Sequence, residues 1–256
     1  MQEAPAKPFE IAIIGGGITG LTLAIALTKR NIKCSIYEQA AEFGEIGAGV
    51  GVHPNAIRAM RICDERMVEA FRKVATQNLW ESKKVVWFDF LDGLATDPAP
   101  ELKPLFTVYG HHEEGHAACH RARFLDELVK LLPEGIARFN KRLDQLVDDR
   151  AQSGKMIMVF KDGSTAEADA VIGCDGIKSR TRELLVGENS PEAKCSYSHK
   201  YAYRGLMPME DAVAALGEEK AHNACLWVRR KYLVTSYLRM ANLRRWARIA
   251  TSLRSP

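Results

Sequence analysis

At 256 residues, with 46% of them hydrophobic and 27% charged, the chain is long enough for one large domain or two smaller ones and has the composition of a globular protein, not a disordered or fibrous one. Its formal charge of +4 is uneven: residues 221–256 hold eight Lys or Arg and no Asp or Glu, and everything before them sums to −4. Net basicity is thus a property of the tail and gives no support to nucleic-acid binding by the body. Six cysteines lie scattered without a C-x-x-C pair, which reads as free thiols in a reducing compartment. The opening MQEAPAKPFE has no apolar signal-peptide region, and no stretch approaches the ~18 apolar residues of a membrane span, so the expected location is cytoplasmic.

The first element is a continuous apolar run, Ile11 to Ile14, bounded by glycines as a strand buried in a parallel sheet would be. Leu21 to Arg30 follows as a helix, and Lys33 to Tyr37 as a second strand ending on Glu38. Strand, glycine turn, helix and strand make a βαβ unit. Four glycines then interrupt the pattern between Glu42 and Gly51. Pro54 to Met60 reads as a helix with proline in its first turn, and a longer helix is expected to continue toward Phe71. Lys84 to Phe90 is a strand turning at Leu91-Asp92-Gly93, the first excursion into a β-rich region. Arg121 to Leu132 carries Phe124, Leu125, Leu128, Val129 and Leu132 along one helical side. Met156 to Phe160 and Ala168 to Ile172 flank the turn Lys161-Asp162-Gly163-Ser164, giving a hairpin whose second strand runs into Gly173-Cys174-Asp175-Gly176.

Gly15-Gly16-Gly17-Ile18-Thr19-Gly20 satisfies G-x-G-x-x-G between strand and helix. Gly15 permits the tight turn, Gly17 lets backbone approach a pyrophosphate, and Gly20 lets helix and strand pack closely. Amides near the helix start would face the phosphates. Glu38, closing the second strand, supplies the expected acceptor for ribose hydroxyls. This unit alone does not separate FAD from NAD, since both present an adenosine ribose to an acidic residue.

Four further segments occur in order: Gly47-Ala48-Gly49-Val50-Gly51 with His53-Pro54-Asn55-Ala56; His120-Arg121-Ala122-Arg123-Phe124-Leu125; Ala168 through Asp175-Gly176 to Ser179; and Tyr201-Ala202-Tyr203-Arg204-Gly205. With the glycine fingerprint they make residues 10 to about 206 resemble the group A FAD-dependent aromatic monooxygenases, in particular salicylate hydroxylase and its fungal relatives. The resemblance implies an α/β fold: a Rossmann-like FAD-binding domain with a parallel sheet, and a β-rich substrate domain, here incomplete, like that of p-hydroxybenzoate hydroxylase. It assigns 1–75 and 111–190 to FAD binding and 76–110 and 191–238 to the partial substrate domain, leaving 239–256 as an atypical basic tail. It implies FAD as cofactor, NAD(P)H as co-substrate, and a small aromatic or polyketide-like substrate.

Residue by residue, the resemblance gives Ala48, Gly49 and Gly51 a place beside the flavin, where absent side chains let backbone approach. Arg121 becomes the cation that stabilises negative charge on the cofactor. Asp175 and Gly176 match the Asp-Gly motif of the pyrophosphate and nicotinamide region, with Arg182 as its trailing arginine. Arg204 falls where related fungal enzymes carry an active-site arginine, a cation that would orient an anionic substrate or polarise the reacting oxygen. Strand alternation sends Tyr203 to the opposite face.

His112-Glu113-Glu114-Gly115-His116 matches H-E-x-x-H, but Gly115 weakens the helix that zinc binding would need and no apolar face accompanies it. No metal is expected. The family's second FAD fingerprint, a Gly-Asp segment running into histidine and proline, is missing from residues 206–256, and the shared pattern fades after Tyr237. The expectation is therefore a C-terminally truncated form that binds FAD weakly and couples poorly. An amphipathic helix through Leu243, Trp246, Ile249 and Leu253, touching an anionic membrane or a partner, is the alternative for the tail. The functional alternatives are an NAD(P)-dependent dehydrogenase on the same βαβ unit and a non-catalytic nucleotide-binding fragment.

Overall fold

The computed structural model describes residues 9–44, 49–92, 104–110, 117–197, 200–222, 225–228, 232–240 and 243–253, with backbone only for 200–207, 220 and 225 onward. In chain order its elements are β1 (Glu10–Ile14), α1 (Ile18–Thr28), β2 (Lys33–Tyr37), β3 (Gly49–Gly51), α2 (Pro54–Cys63), α3 (Glu65–Val74), β4 (Ala75–Gln77), β5 (Val86–Asp92), β6 (Phe106–Tyr109), β7 (Ala117–His120), α4 (Arg121–Val129), β8 (Ala137–Arg138), β9 (Leu143–Asp148), β10 (Met156–Phe160), β11 (Thr165–Ala168) and β12 (Ala170–Gly173). Then follow α5 (Arg180–Val186), β13 (Lys200–Pro208), α6 (Met209–Leu216), α7 (Glu218–Ala221), β14 (Cys225–Val228), β15 (Tyr232–Met240) and β16 (Leu243–Leu253).

The chain divides into two compact units, the first made of 1–45, 60–70 and 125–196 and the second of 46–59, 71–124 and 197–256. At the heart of the first is a parallel sheet in the order β12-β1-β2-β8. The apolar run of β1 buries both its faces. Ala12 and Ile14 pack with Leu143, Met158, Phe160 and Ala168, which come from β1's antiparallel neighbour layer, the sheet β11-β10-β9. Ile11 and Ile13, pointing the other way by strand alternation, are buried too, as are Leu21, Ala24 and Ile25 of α1. Because β2 lies on one side of β1 and β12 on the other, the chain reverses its strand order at the carboxyl end of β1. In open α/β sheets that switch point is where ligands bind.

Three sequence expectations change here. The hairpin partner of β10 is β11, and Ala170–Gly173 is a separate strand in the parallel sheet. The chain changes sheets at Asp169, whose amide donates to Glu10 O at 3.0 Å and whose carboxylate accepts from Glu10 N at 2.6 Å and from Lys155 Nζ at 2.6 Å. The helix expected to continue toward Phe71 is two helices broken at Asp64. Its buried carboxylate accepts from Arg66 N at 3.0 Å and pairs with the Arg66 guanidinium at 2.6 Å, so it caps α3 and ends α2. Finally, the tail segment proposed as a helix is the strand β16.

The second unit holds a six-stranded sheet, β13-β16-β15-β14-β5-β6, and a three-stranded one, β3-β7-β4. β16 lies between β13 and β15, antiparallel to both, with Arg204 opposite Ile249 and Tyr237 opposite Trp246. Leu243, Trp246, Ile249 and Leu253 suit a helical face by spacing, but pairing on both sides fixes an extended backbone. Buried Asp89 anchors β5, accepting from Lys83 Nζ at 2.7 Å and from Thr107 Oγ1 at 2.6 Å.

Candidate functional site

In the first unit the glycine turn is held from both sides. Gly15 N donates to Tyr37 O at 2.9 Å, and Cys174 N donates to Ile14 O at 2.7 Å, so β1 turns while wedged between its neighbours. Gly15 has φ +106°, and a Cβ there would sit 2.5 Å from Cys174 O. No other residue fits. A Cβ on Gly20 would come within 2.0 Å of Gly15 O, so α1 rests directly on the turn. Gly17 is the opposite case: a Cβ would meet nothing within 4 Å, which leaves open space in front of the helix.

That space faces the start of α1. Gly17 occupies the N-cap, no side chain caps it and no acid sits in the first turn; the first intrahelical bond runs from Leu21 N to Gly17 O at 3.0 Å. The amides of Ile18, Thr19 and Gly20 precede that bond and carry the positive end of the helix dipole. Glu38 stands beside them. Its Oε2 accepts from Gly16 N at 2.6 Å and its Oε1 from Ala40 N at 2.8 Å. A carboxylate offers about four lone-pair sites, so each oxygen keeps one for a further donor. An open approach, uncapped amides and a fixed double acceptor fit the phosphate and the ribose diol of an adenine dinucleotide.

Asp175 and Gly176 adjoin Gly15, the Asp175 Cα lying 3.0 Å from where a Gly15 Cβ would be. The Asp175 carboxylate is turned to its own loop: Oδ1 accepts from Ser179 Oγ at 2.6 Å, and Oδ2 from Thr181 N at 2.9 Å and Thr181 Oγ1 at 3.1 Å. Ser179 in turn caps α5 by accepting from Arg182 N at 2.9 Å. Gly176, at φ +77°, makes the reversal that this requires. Arg182 ties the loop to its neighbour through Ile177 O at 2.7 Å and Ala193 O at 3.2 Å. Burial, with the Asp175 charge beside it, pushes the Cys174 thiol up.

In the second unit β3 pairs with β7, placing Gly49 opposite His120 and Gly51 opposite Ala118. Arg121 follows His120 as the first, exposed residue of α4, one residue beyond the ladder partner of Gly49. Ala48 lies outside the described residues, as does His112 to His116. Arg204 is on β13, in the other sheet, and only its backbone is described. Cys119, facing Val50 and Ala75 in register, is fully buried, and burial pushes its thiol up to about 12. Sequence reasoning missed two features: the inward hydrogen bonding of Asp175, and Phe43, whose ring lies against Gly16. A glycine, Gly16, at the free position of G-x-G was the available signal for the latter.

Residues 13–50 match the NAD(P)-binding Rossmann-like domain family. The chain is 50% identical over 215 residues to the FAD-dependent monooxygenase azaH of Aspergillus niger, covering 82% of this chain and 49% of that one. It is 52% identical over 213 residues to the FAD-dependent monooxygenase pigN of Monascus ruber (83% and 47%), and 44% identical over 229 residues to 6-methylsalicylate 1-monooxygenase atA of Aspergillus terreus (89% and 50%). Among solved structures, a salicylate hydroxylase substrate complex superposes with a TM-score of 0.75 at 24% identity, covering 96% of this chain and 56% of that one. HpxO of Klebsiella pneumoniae, complexed with FAD and uric acid, superposes at 0.75 with 18% identity, over 96% and 57%. The fold is thus that of FAD-binding monooxygenases with a Rossmann-like domain. More particularly, the chain is a homologue of the FAD-dependent monooxygenases of salicylate hydroxylase type, and it spans about half the length of the curated relatives it matches.

Proposed function

We propose that this protein binds FAD and takes part in hydroxylating a small aromatic, salicylate-like or polyketide-like substrate with NAD(P)H and O₂. The observation that supports this most is the cradle at the end of β1: Gly17 open, Gly15 and Gly20 closed by backbone, and Glu38 fixed beside the first turn of α1. The names of its relatives, which include a 6-methylsalicylate monooxygenase, point to the substrate class. FAD, when bound, supplies the redox chemistry, accepting a hydride and then using O₂ to oxygenate the ring.

The residues of the chain bind and orient. Ile18, Thr19 and Gly20 donate amides to the pyrophosphate, and Glu38 accepts from the ribose hydroxyls. Ala48, Gly49 and Gly51 bring backbone to the flavin, and Arg121 supplies a fixed cation there. Asp175 and Gly176 hold the loop that borders the pyrophosphate. Arg204 orients the carboxylate or phenolate of the substrate. In this reading 1–75 and 111–190 serve FAD, 76–110 and 191–238 serve the substrate, 239–256 is the basic tail, and the protein works in the cytoplasm. Among the described residues no helix is long and apolar enough to cross a membrane.

Reconstitution with FAD tests the proposal, following NAD(P)H oxidation and hydroxylated product together over salicylate, 6-methylsalicylate and related phenols. Flavin retained by the protein and oxidation that rises with an aromatic acid support it. Tight NAD(P) binding with no flavin retained would instead favour the dehydrogenase.

A further inference from the structure

Gly16 occupies the position between the first two fingerprint glycines, where the nucleotide-binding turn itself sets no requirement. A Cβ there would lie 2.8 Å from Phe43 Cε1 and 3.2 Å from Glu38 Oε2. The Phe43 ring therefore closes over Gly16 at the point where Gly16 N meets the Glu38 carboxylate. Phe43 is itself held by Phe139, edge to face, with ring centroids 4.8 Å apart and planes at 82°. The backbone beneath the two rings is stitched together: Glu38 N donates to Arg138 O at 2.9 Å, Lys141 N to Glu38 O at 2.8 Å and Asn140 N to Ala40 O at 2.9 Å.

We infer that the Phe43–Phe139 pair is a positioning device for the adenosine end of the site, pressing Phe43 on Gly16 so that Glu38 is held with its two remaining lone pairs toward the ribose diol. The inference rests on the dinucleotide-binding reading above and adds a specificity role to residues outside the fingerprint. The physical reason is preorganisation. A glutamate has three side-chain torsions, and two amide donors alone leave it free to follow the 38–44 loop; a ring packed on one side and braced by a second ring fixes that loop. Gly16 is glycine because any side chain would displace the ring that does this.

The test measures ADP and 2′-deoxy-ADP binding to the 256-residue chain by calorimetry. A correctly held Glu38 accepts from the 2′-hydroxyl, so the wild type should prefer ADP by about tenfold or more, the value of one hydrogen bond to a charged group. Phe43→Ala should reduce that preference below about threefold, and Phe43→Tyr should keep it. Phe43→Leu, which keeps apolar bulk without the ring, gives the same comparison if the alanine variant is unstable. Gly16→Ala should lose the preference in the wild-type background and cost less when Phe43 is already alanine, because the 2.8 Å contact with the ring is gone and only the 3.2 Å contact with Glu38 Oε2 remains. A wild-type preference retained in both Phe43→Ala and Phe43→Leu would overturn the inference and leave the proposed function standing. Failure of the wild type to bind ADP at all would count against the dinucleotide site itself.

Discussion

The three fingerprint glycines occupy different surroundings, and replacing two of them by alanine separates their roles. In Gly20→Ala the new Cβ would fall 2.0 Å from Gly15 O, at least 1 Å inside any tolerable contact, and the obstacle is backbone. Relief requires α1 to lift from the turn, an overpacking of about 1–3 kcal/mol, or more because backbone must move. For a chain of this size each kcal/mol corresponds to roughly 2–4 °C, so the melting temperature should fall by about 2–12 °C. The same lift withdraws the first-turn amides, and nucleotide affinity should fall with it. Gly17→Ala meets no atom within 4 Å, and its φ of −74° suits alanine, so stability should change by less than about 1 kcal/mol. Its methyl would stand where a pyrophosphate must approach, so affinity should still fall. The assay pairs thermal unfolding with ADP titration on both variants. An unchanged affinity in a stable Gly17→Ala protein would refute the reasoning that the open space is the phosphate approach.

Glu38→Ala should weaken FAD or ADP binding by about 1.5–3 kcal/mol, as titration would show; equal affinity in a folded variant would return Glu38 to a purely structural role. Asp175→Ala removes the acceptor of three hydrogen bonds in the loop before α5 and should lower stability by about 1–2 kcal/mol, measured by denaturant unfolding. The Arg66 guanidinium, followed by the Arg66 amide, holds the Asp64 carboxyl below the usual carboxylate range. A depressed folded pKa means that this contribution is present above the unfolded value near 4 and is lost as pH falls through the folded one, so Asp64→Asn should flatten the acid limb of the stability profile. With its thiol pushed up to about 12, Cys119 should resist a thiol reagent at pH 8 while exposed Cys195 reacts, as peptide mapping would reveal.

The βαβ unit was legible in the sequence because everything that makes it is local: an unbroken apolar run, glycines whose spacing matches one turn of backbone, and an acid at the end of β2. The α2–α3 break carried a local signal too, Asp64 followed by Glu65, but the apolar periodicity on either side masked it. The passage of the chain at Asp169 from one sheet to another had no local mark, since Ala168 and Ala170 suit a single continuous strand; contacts with Glu10, 159 residues away in sequence, decide it. Asp175 was found for its position in a motif, yet its hydrogen bonds to Ser179 and Thr181 depend on the turn made by Gly176. In β16 the apolar spacing fits a helical face, and the strand is chosen by partners on both sides that composition does not reveal. Gly16 looked redundant because the ring that requires glycine there comes from Phe43, beyond the end of β2.

Competition at the first glycine turn tests the central claim most directly. With the chain loaded with a fluorescent ADP analogue, FAD should displace the probe at far lower concentration than NAD, and Glu38→Ala should weaken the displacement by FAD. Displacement by NAD at equal or lower concentration than FAD would contradict the assignment of this site to a flavin dinucleotide.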